Sequence, residues 1–149
     1  MADAITSVGS RIVVVDTSVV VKWYLADGEE QVSEALSYLV RHRDGALLLA
    51  APELLLVEFI QVLKRRGLDA RRVERSVDRL LAARLQLHSL ASIAPAVAAL
   101  VGSHAISAYD ACFAALANRL DAPLVTADRR LARCGACDAR LLGENEAHA

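Results

Sequence analysis

Short unbroken apolar runs alternate along this chain with longer stretches in which apolar residues recur every three or four positions. Ile12, Val13, Val14 and Val15 form a β-branched run bounded by polar residues, so Arg11 to Asp16 reads as a buried strand. Thr17 and Ser18 then open a helix through Leu25. From Gly28 to Arg43 the spacing of Val32, Ala35, Leu36 and Leu39 predicts a second helix. Gly45 punctuates, and Ala46 to Ala50 is an apolar strand. Pro52 suits the first turn of a helix running to Arg66. Gly67 ends that helix, and Asp69 can cap the next, whose apolar stripe is Val73, Val77, Leu80 and Leu81.

Leu85 to Leu90 alternates as a strand does, and Pro95 to Val101 reads as a short helix stopped by Gly102. Ser107 to Leu120 is a helix with a capping signature from Ser107 to Asp110. Leu124 to Thr126 is a strand, Asp128 to Arg133 a short helix and Ala139 to Leu142 a last strand. The polar tail from Gly143 to Ala149 is expected to fray. There is no internal repeat, linker or low-complexity tract. Strands alternating with helices predict an α/β domain with a parallel sheet covered on both faces, in which ligands bind beyond the carboxyl ends of the strands.

Composition adds a partner to this picture. The 149 residues make one domain, with 55% hydrophobic residues but only 4% aromatic. Mean hydropathy is +0.34, which suggests that some apolar surface is reserved for another chain. The stretch Leu90 to Val101 is too short to span a bilayer, and no basic region followed by an apolar one opens the chain. No membrane association and a cytoplasmic location are therefore expected. The three cysteines make no disulfide framework. Cys134 and Cys137 have the spacing of a zinc or redox pair, but no second Cys/His pair follows, so a helix-end location without chemistry is favoured.

Net charge is −1, but it is segregated: residues 60–84 hold eight basic and three acidic side chains, and the rest of the chain is acidic. Arg72, Arg75 and Arg79 fall at i, i+3 and i+7, on one helix face able to track phosphates. A solvated face with internal pairing fits the same count.

The acids are placed more tellingly. Asp16 ends the first apolar run, Glu58 interrupts Leu54 to Ile60, Asp110 lies on the stripe of Ile106 and Phe113, and Asp128 follows Leu124-Val125-Thr126. Carboxylates are seldom buried unless paired or bound to a metal. Strand ends place Asp16 and Asp128 on the ligand-binding edge. Oxygen donors alone point to Mg²⁺ or Mn²⁺, which polarises a phosphoryl group and supplies hydroxide for in-line attack. Singly, Asp16, Asp110 and Asp128 each have a capping explanation. Glu58 sits mid-helix, where no cap is needed, and its alternative is a side chain turned to the solvent edge. Thr17, Ser18 and Thr126 are polar neighbours able to bond an acid, a phosphate or a helix end. His88 alternates with apolar residues and is expected to face solvent; His42, His104 and His148 have no metal spacing. No nucleophile elbow or phosphate-binding glycine loop is present.

The string from Val13 to Trp23, with Asp16-Thr17-Ser18 at its centre, resembles the opening of PIN-domain ribonucleases, particularly the VapC toxins of toxin–antitoxin pairs. So do Ala51-Pro52-Glu53-Leu54 through Glu58, Ser107-Ala108-Tyr109-Asp110-Ala111, and Pro123-Leu124-Val125-Thr126-Ala127-Asp128. The resemblance runs from about residue 11 to 142. It implies a PIN-like α/β/α sandwich and Mg²⁺- or Mn²⁺-dependent cleavage of RNA to a 5′-phosphate and a 3′-hydroxyl. Asp16 and Asp110 would be the core metal ligands, Glu58 would hold the metal or position water, and Asp128 would complete the site. Ser18 and Thr126 would support it. Many relatives carry Asn three residues after the helix acid, where this chain has Gln61. The resemblance further implies a homodimer and a VapB-type antitoxin whose segment fills a hydrophobic groove.

Other functions fit less well. A phosphoacceptor receiver needs a late lysine, and the lysines are Lys22 and Lys64. A D-x-D phosphatase lacks its second Asp, because Ser18 stands there. A non-toxin RNA-processing nuclease shares the same acids, and a catalytically silent RNA-binding or assembly module would have no reason to keep them.

Overall fold

The structure, a computed structural model, describes residues 11–144. The predicted signal-free opening and most of the polar tail lie outside these residues. Within them five strands form one sheet: β1 (Arg11–Val15), β2 (Leu47–Pro52), β3 (Gln86–His88), β4 (Leu124–Thr126) and β5 (Ala139–Leu141). Their order is β3-β2-β1-β4-β5, and every pairing is parallel.

Among the described residues seven helices connect the strands: α1 (Thr17–Tyr24), α2 (Val32–Arg43), α3 (Leu54–Arg65), α4 (Ala70–Ala82), α5 (Leu90–Ser103), α6 (Ala108–Arg119) and α7 (Arg129–Ala132). The chain first winds outward from β1 through β2 to β3, then returns through α5 and α6 to lay β4 on the other side of β1. Right-handed crossovers in opposite directions cover opposite faces, which makes an α/β/α sandwich. It also opens a crevice between the carboxyl ends of β1 and β4, where the winding reverses.

Both faces being covered explains the unbroken apolar strands. Val14, Leu49 and Leu124 have no exposed surface, and Leu55, Phe59 and Leu63 of α3 and Phe113 and Leu116 of α6 are equally buried. Each such side chain contributes about 1.5–3 kcal/mol of hydrophobic stabilisation. Trp23 buries its ring and donates from Nε1 to the Ala35 carbonyl at 2.8 Å, joining α1 to α2.

Three element boundaries differ from the sequence pattern. Helix α2 starts at Val32 rather than near Gly28, because Gln31 adopts a left-handed conformation (φ 50°) that breaks the helical path. Pro52 closes strand β2 opposite His88 instead of opening α3. Helix α5 begins at Leu90, and Pro95 lies inside it. Proline costs a helix one backbone bond, and packing of α5 on α6 overrides that local signal.

Two histidines take positions that the pattern did not indicate. His42 on α2 accepts from the Leu49 N–H at Nδ1 (3.2 Å) and faces the Ala83 carbonyl with Nε2 (3.0 Å), which fixes the ring between α2, β2 and the end of α4. His88 is half-buried rather than facing solvent freely, and its Nε2 is buried without a hydrogen-bond partner among the described residues.

Candidate active site

Asp16 follows the last residue of β1 in extended conformation (ψ 154°) and occupies the N-cap position of α1. Its carboxylate does not cap the helix. Oδ2 instead accepts the Ser18 hydroxyl at 2.6 Å and the Thr126 hydroxyl at 2.8 Å. Strand β4 delivers Thr126 beside the end of β1, so the carboxylate bonds across strands instead of capping α1. Thr126 Oγ1 also accepts from the Asp128 N–H at 3.0 Å, and Ser18 Oγ accepts from the Ala127 N–H at 2.9 Å. These bonds lock the two strand ends together.

Asp16 is 7% exposed, and burial pushes its carboxyl above the ordinary carboxylate value. The Ser18 and Thr126 hydroxyls oppose that shift, and the nearby Asp110 carboxylate adds to it. Glu58 projects from the middle of α3, half-buried, and accepts the Thr17 hydroxyl at Oε1 (3.0 Å). Its carboxyl is also raised, by burial first and then by the charges of Asp16 and Asp110, against the Thr17 bond. The Asp110 charge contributes to both shifts, so Asp16 and Glu58 share its electrostatic environment.

Asp110 stands in the first turn of α6, where the Ser107 hydroxyl accepts its backbone N–H at 3.1 Å. The capping signature is therefore used through the backbone of Asp110, while its side chain lines the cleft. Asp128 is different. Its Oδ1 accepts the backbone N–H groups of Arg130 (2.7 Å) and Leu131 (3.4 Å), so it caps α7 while lining the same cleft.

Asp16, Ser18, Glu58, Gln61, Asp110 and Asp128 all line a cleft of about 780 Å³, with the buried Thr126 hydrogen-bonded to Asp16. The apolar runs around them suggested four hidden acids; only Asp16 is buried, and the other three are half-exposed on the cleft wall. Arg72 and Arg75 line a separate depression with Asp69, and Arg79 lies over the Tyr24 ring at 5.6 Å from its centroid. None of the three arginines lines the acidic cleft.

Sequence reasoning missed Lys22, Glu29 and Arg66 on that wall. The signal for Lys22 was present, as a single cation inside the apolar run Val19 to Trp23. Glu29 and Arg66 gave none, because both look like ordinary loop and helix-end charges. A second depression, of about 490 Å³, lies at the opposite edge, where Arg11 and Pro123 adjoin the starts of β1 and β4. It is remote from the strand ends where the acids gather.

The PIN domain family model matches residues 13–136. This chain belongs to the PIN domain family. The fold resembles that of VapBC2 from Rickettsia felis bound to a DNA fragment from its promoter, at 17% identity and a TM-score of 0.65, over 87% of this chain and 98% of that one. It also resembles VapC20 of Mycobacterium tuberculosis, a sarcin-ricin loop cleaving toxin (18% identity, TM-score 0.66, 86% of this chain and 98% of that one). A toxin–antitoxin complex from Klebsiella pneumoniae matches at 18% identity and a TM-score of 0.64, over 89% of this chain and 99% of that one. At these identities the likeness is one of fold. No curated protein matches the chain.

The donors around this PIN-domain cleft are carboxylate oxygens, and burial together with neighbouring acids raises those of Asp16 and Glu58, a penalty that a hard divalent cation relieves. Among the described residues, no three acidic, histidine or cysteine side chains converge closely enough to hold an ion by themselves. Magnesium retains several waters and needs only one or two protein carboxylates, so the donor set suits such an ion.

Proposed function

We propose that this protein is a metal-dependent endoribonuclease, the toxin member of a type II toxin–antitoxin pair. The observation that carries the reading is the gathering of Asp16, Glu58 and Asp110 at the crevice between β1 and β4 of a PIN-domain fold. In this reading Asp16 and Asp110 hold Mg²⁺ or Mn²⁺, with Asp128 contributing from the cap of α7. The cation supplies charge neutralisation at the scissile phosphate and activation of water.

The chain's own groups do the positioning. The Ser18 and Thr126 hydroxyls hold the Asp16 carboxylate in one orientation and favour its ionised form against its burial. Thr17 fixes Glu58 through Oε1, which leaves Oε2 to orient water or take its proton. A raised carboxyl is a better base than an ordinary one. Gln61, one turn beyond Val57 on the same helix, offers an amide to the cleft.

RNA as substrate, and a VapB-type antitoxin as partner, are supported by the VapC and toxin–antitoxin structures that share the fold. Exposed apolar residues at the cleft rim, Val57 (65% exposed) and Tyr109 (64%), fit an apolar segment of such an antitoxin. A homodimer in the cytoplasm completes the proposal; among the described residues no single helix is long and apolar enough to cross a membrane.

The test is an RNA cleavage assay with Mn²⁺, comparing wild type with Asp16→Asn and Asp110→Asn. Cleavage to 5′-phosphate ends by wild type alone is the expected result. Equal activity in all three proteins would end the metal-nuclease reading.

A further inference from the structure

Lys22 is a buried cation, at 5% exposure on α1. It lies one helical turn beyond Ser18 on the same face, and both line the acidic cleft. Its ammonium donates to Glu29 Oε2 at 2.6 Å. The other oxygen of Glu29 is bound by the guanidinium of Arg66, just past the end of α3. One carboxylate is thus shared by two cations, and the triad keeps a net positive charge beside the acids.

The arrangement is asymmetric. Lys22 is fixed on a core helix, and Arg66 on the cap of another. Glu29 sits in the connection between α1 and α2, held there by a turn to Ala26 (3.1 Å) with Gly28 in left-handed conformation. Burial alone would raise the Glu29 carboxyl, but the hydrogen bonds and charges of Lys22 and Arg66 bring it below its ordinary value. It is an anion held by two cations on the wall of a cleft, which is the geometry a phosphate would take.

We propose that Lys22 and Arg66 form a phosphate-binding subsite on the wall of the acidic cleft, and that Glu29 fills this subsite until an RNA phosphate displaces it. The proposal rests on the nuclease reading for its ligand. Because Lys22 lies a turn beyond Ser18 and further still from Asp16, the subsite receives a phosphate flanking the scissile one. It positions the strand and takes no part in bond cleavage. Arg66, 40% exposed in its side chain, provides the entry.

The test is binding of a fluorescent single-stranded RNA in EDTA, where cleavage does not intervene, across a salt series. Glu29→Gln, which removes the internal competitor, is expected to bind about three- to tenfold tighter, with a log–log salt slope steeper by about 0.7 for each further phosphate that the protein neutralises. Arg66→Ala and Lys22→Met are expected to bind more weakly, with a correspondingly shallower slope. Thermal denaturation of each variant establishes that it is folded. Should Glu29→Gln fail to fold, Glu29→Asp shortens the reach to Lys22 and carries the same expectation of tighter binding. A folded Glu29 variant with wild-type or weaker affinity would overturn the subsite and leave the triad as a structural tie. Cleavage by wild type with Mn²⁺ is measured in parallel. RNA cleavage without tighter Glu29→Gln binding removes only the subsite, whereas the expected binding series without any cleavage removes only the nuclease reading.

Discussion

The Thr126 hydroxyl donates to Asp16 Oδ2 at 2.8 Å, across 110 residues of chain. This bond spans the point where the sheet reverses its winding, and it ties the end of β4 to the acid that ends β1. The same Thr126 oxygen receives the Asp128 N–H. Two of the strand-end acids are therefore set by one hydroxyl.

Replacing Thr126 by Val should move the acidic limb of the pH–activity profile upward. The hydroxyl favours ionised Asp16, so its loss lets burial and Asp110 raise the carboxyl further. Activity that depends on ionised Asp16 then disappears at a higher pH than in wild type. The Asp128 N–H also loses its acceptor, and a drop of about 1–3 kcal/mol in denaturant-measured stability should accompany the shift.

The raised carboxyls of Asp16 and Glu58 make the metal-free protein less stable as pH rises. Folded Asp16 and Glu58 hold their protons more tightly than the unfolded chain does. Their contribution is present below the ordinary carboxylate range and is lost as pH climbs through the raised values. In EDTA, Asp110→Asn should therefore melt higher than wild type at neutral pH, and the gap should close on acidification. A gap that stays constant from neutral pH down through the carboxylate range would contradict the like-charge account.

Divalent cation should reverse that penalty. Mg²⁺ or Mn²⁺ at about a hundred times its dissociation constant should stabilise wild type by about 2.7 kcal/mol. Asp16→Asn and Asp110→Asn should gain far less. Melting curves with and without the ion decide the matter independently of any RNA.

Asp128 separates capping from catalysis. Asp128→Asn keeps an oxygen for the Arg130 and Leu131 N–H groups and should be as stable as wild type, whereas Asp128→Ala should lose about 1 kcal/mol. Both should lower cleavage less than Asp16→Asn does. A loss in Asp128→Asn as deep as in Asp16→Asn would place Asp128 among the essential ligands.

The arginine face of α4 should act through salt-sensitive RNA affinity alone. Arg72, Arg75 and Arg79 lie outside the acidic cleft, and Arg79 also packs on Tyr24. Joint replacement by Ala should weaken RNA binding at low salt and leave the metal-induced melting shift intact. Cleavage unchanged across a salt series would make this face a solvated surface only.

The strands were legible because a sheet covered on both sides demands unbroken apolar runs, and Ile12 to Val15 and Leu124 to Val125 supply them. Asp69 and Ser107 were legible as caps because capping is a local bond, and both make it. Pro52 and Pro95 misled for the complementary reason. Their local preference for starting a helix yielded to a strand pairing with His88 and to the packing of α5 on α6.

The site divides in the same way. Sequence alone determined that Asp16 and Asp128 stand at strand ends, since a strand's end is written in the run that precedes it. It could not decide between cap and site for Asp16, because both place an acid before a helix. The tertiary structure decided that its carboxylate makes no cap bond, by bringing Thr126 from another strand to Asp16, and it likewise brought Thr17 to Glu58, 41 residues away. Likewise the pairing of Lys22 and Arg66 on Glu29 belongs to the folded cleft alone. Hydrophobic pattern is a property of neighbours in the chain, whereas charge pairing and shifted protonation are properties of neighbours in space.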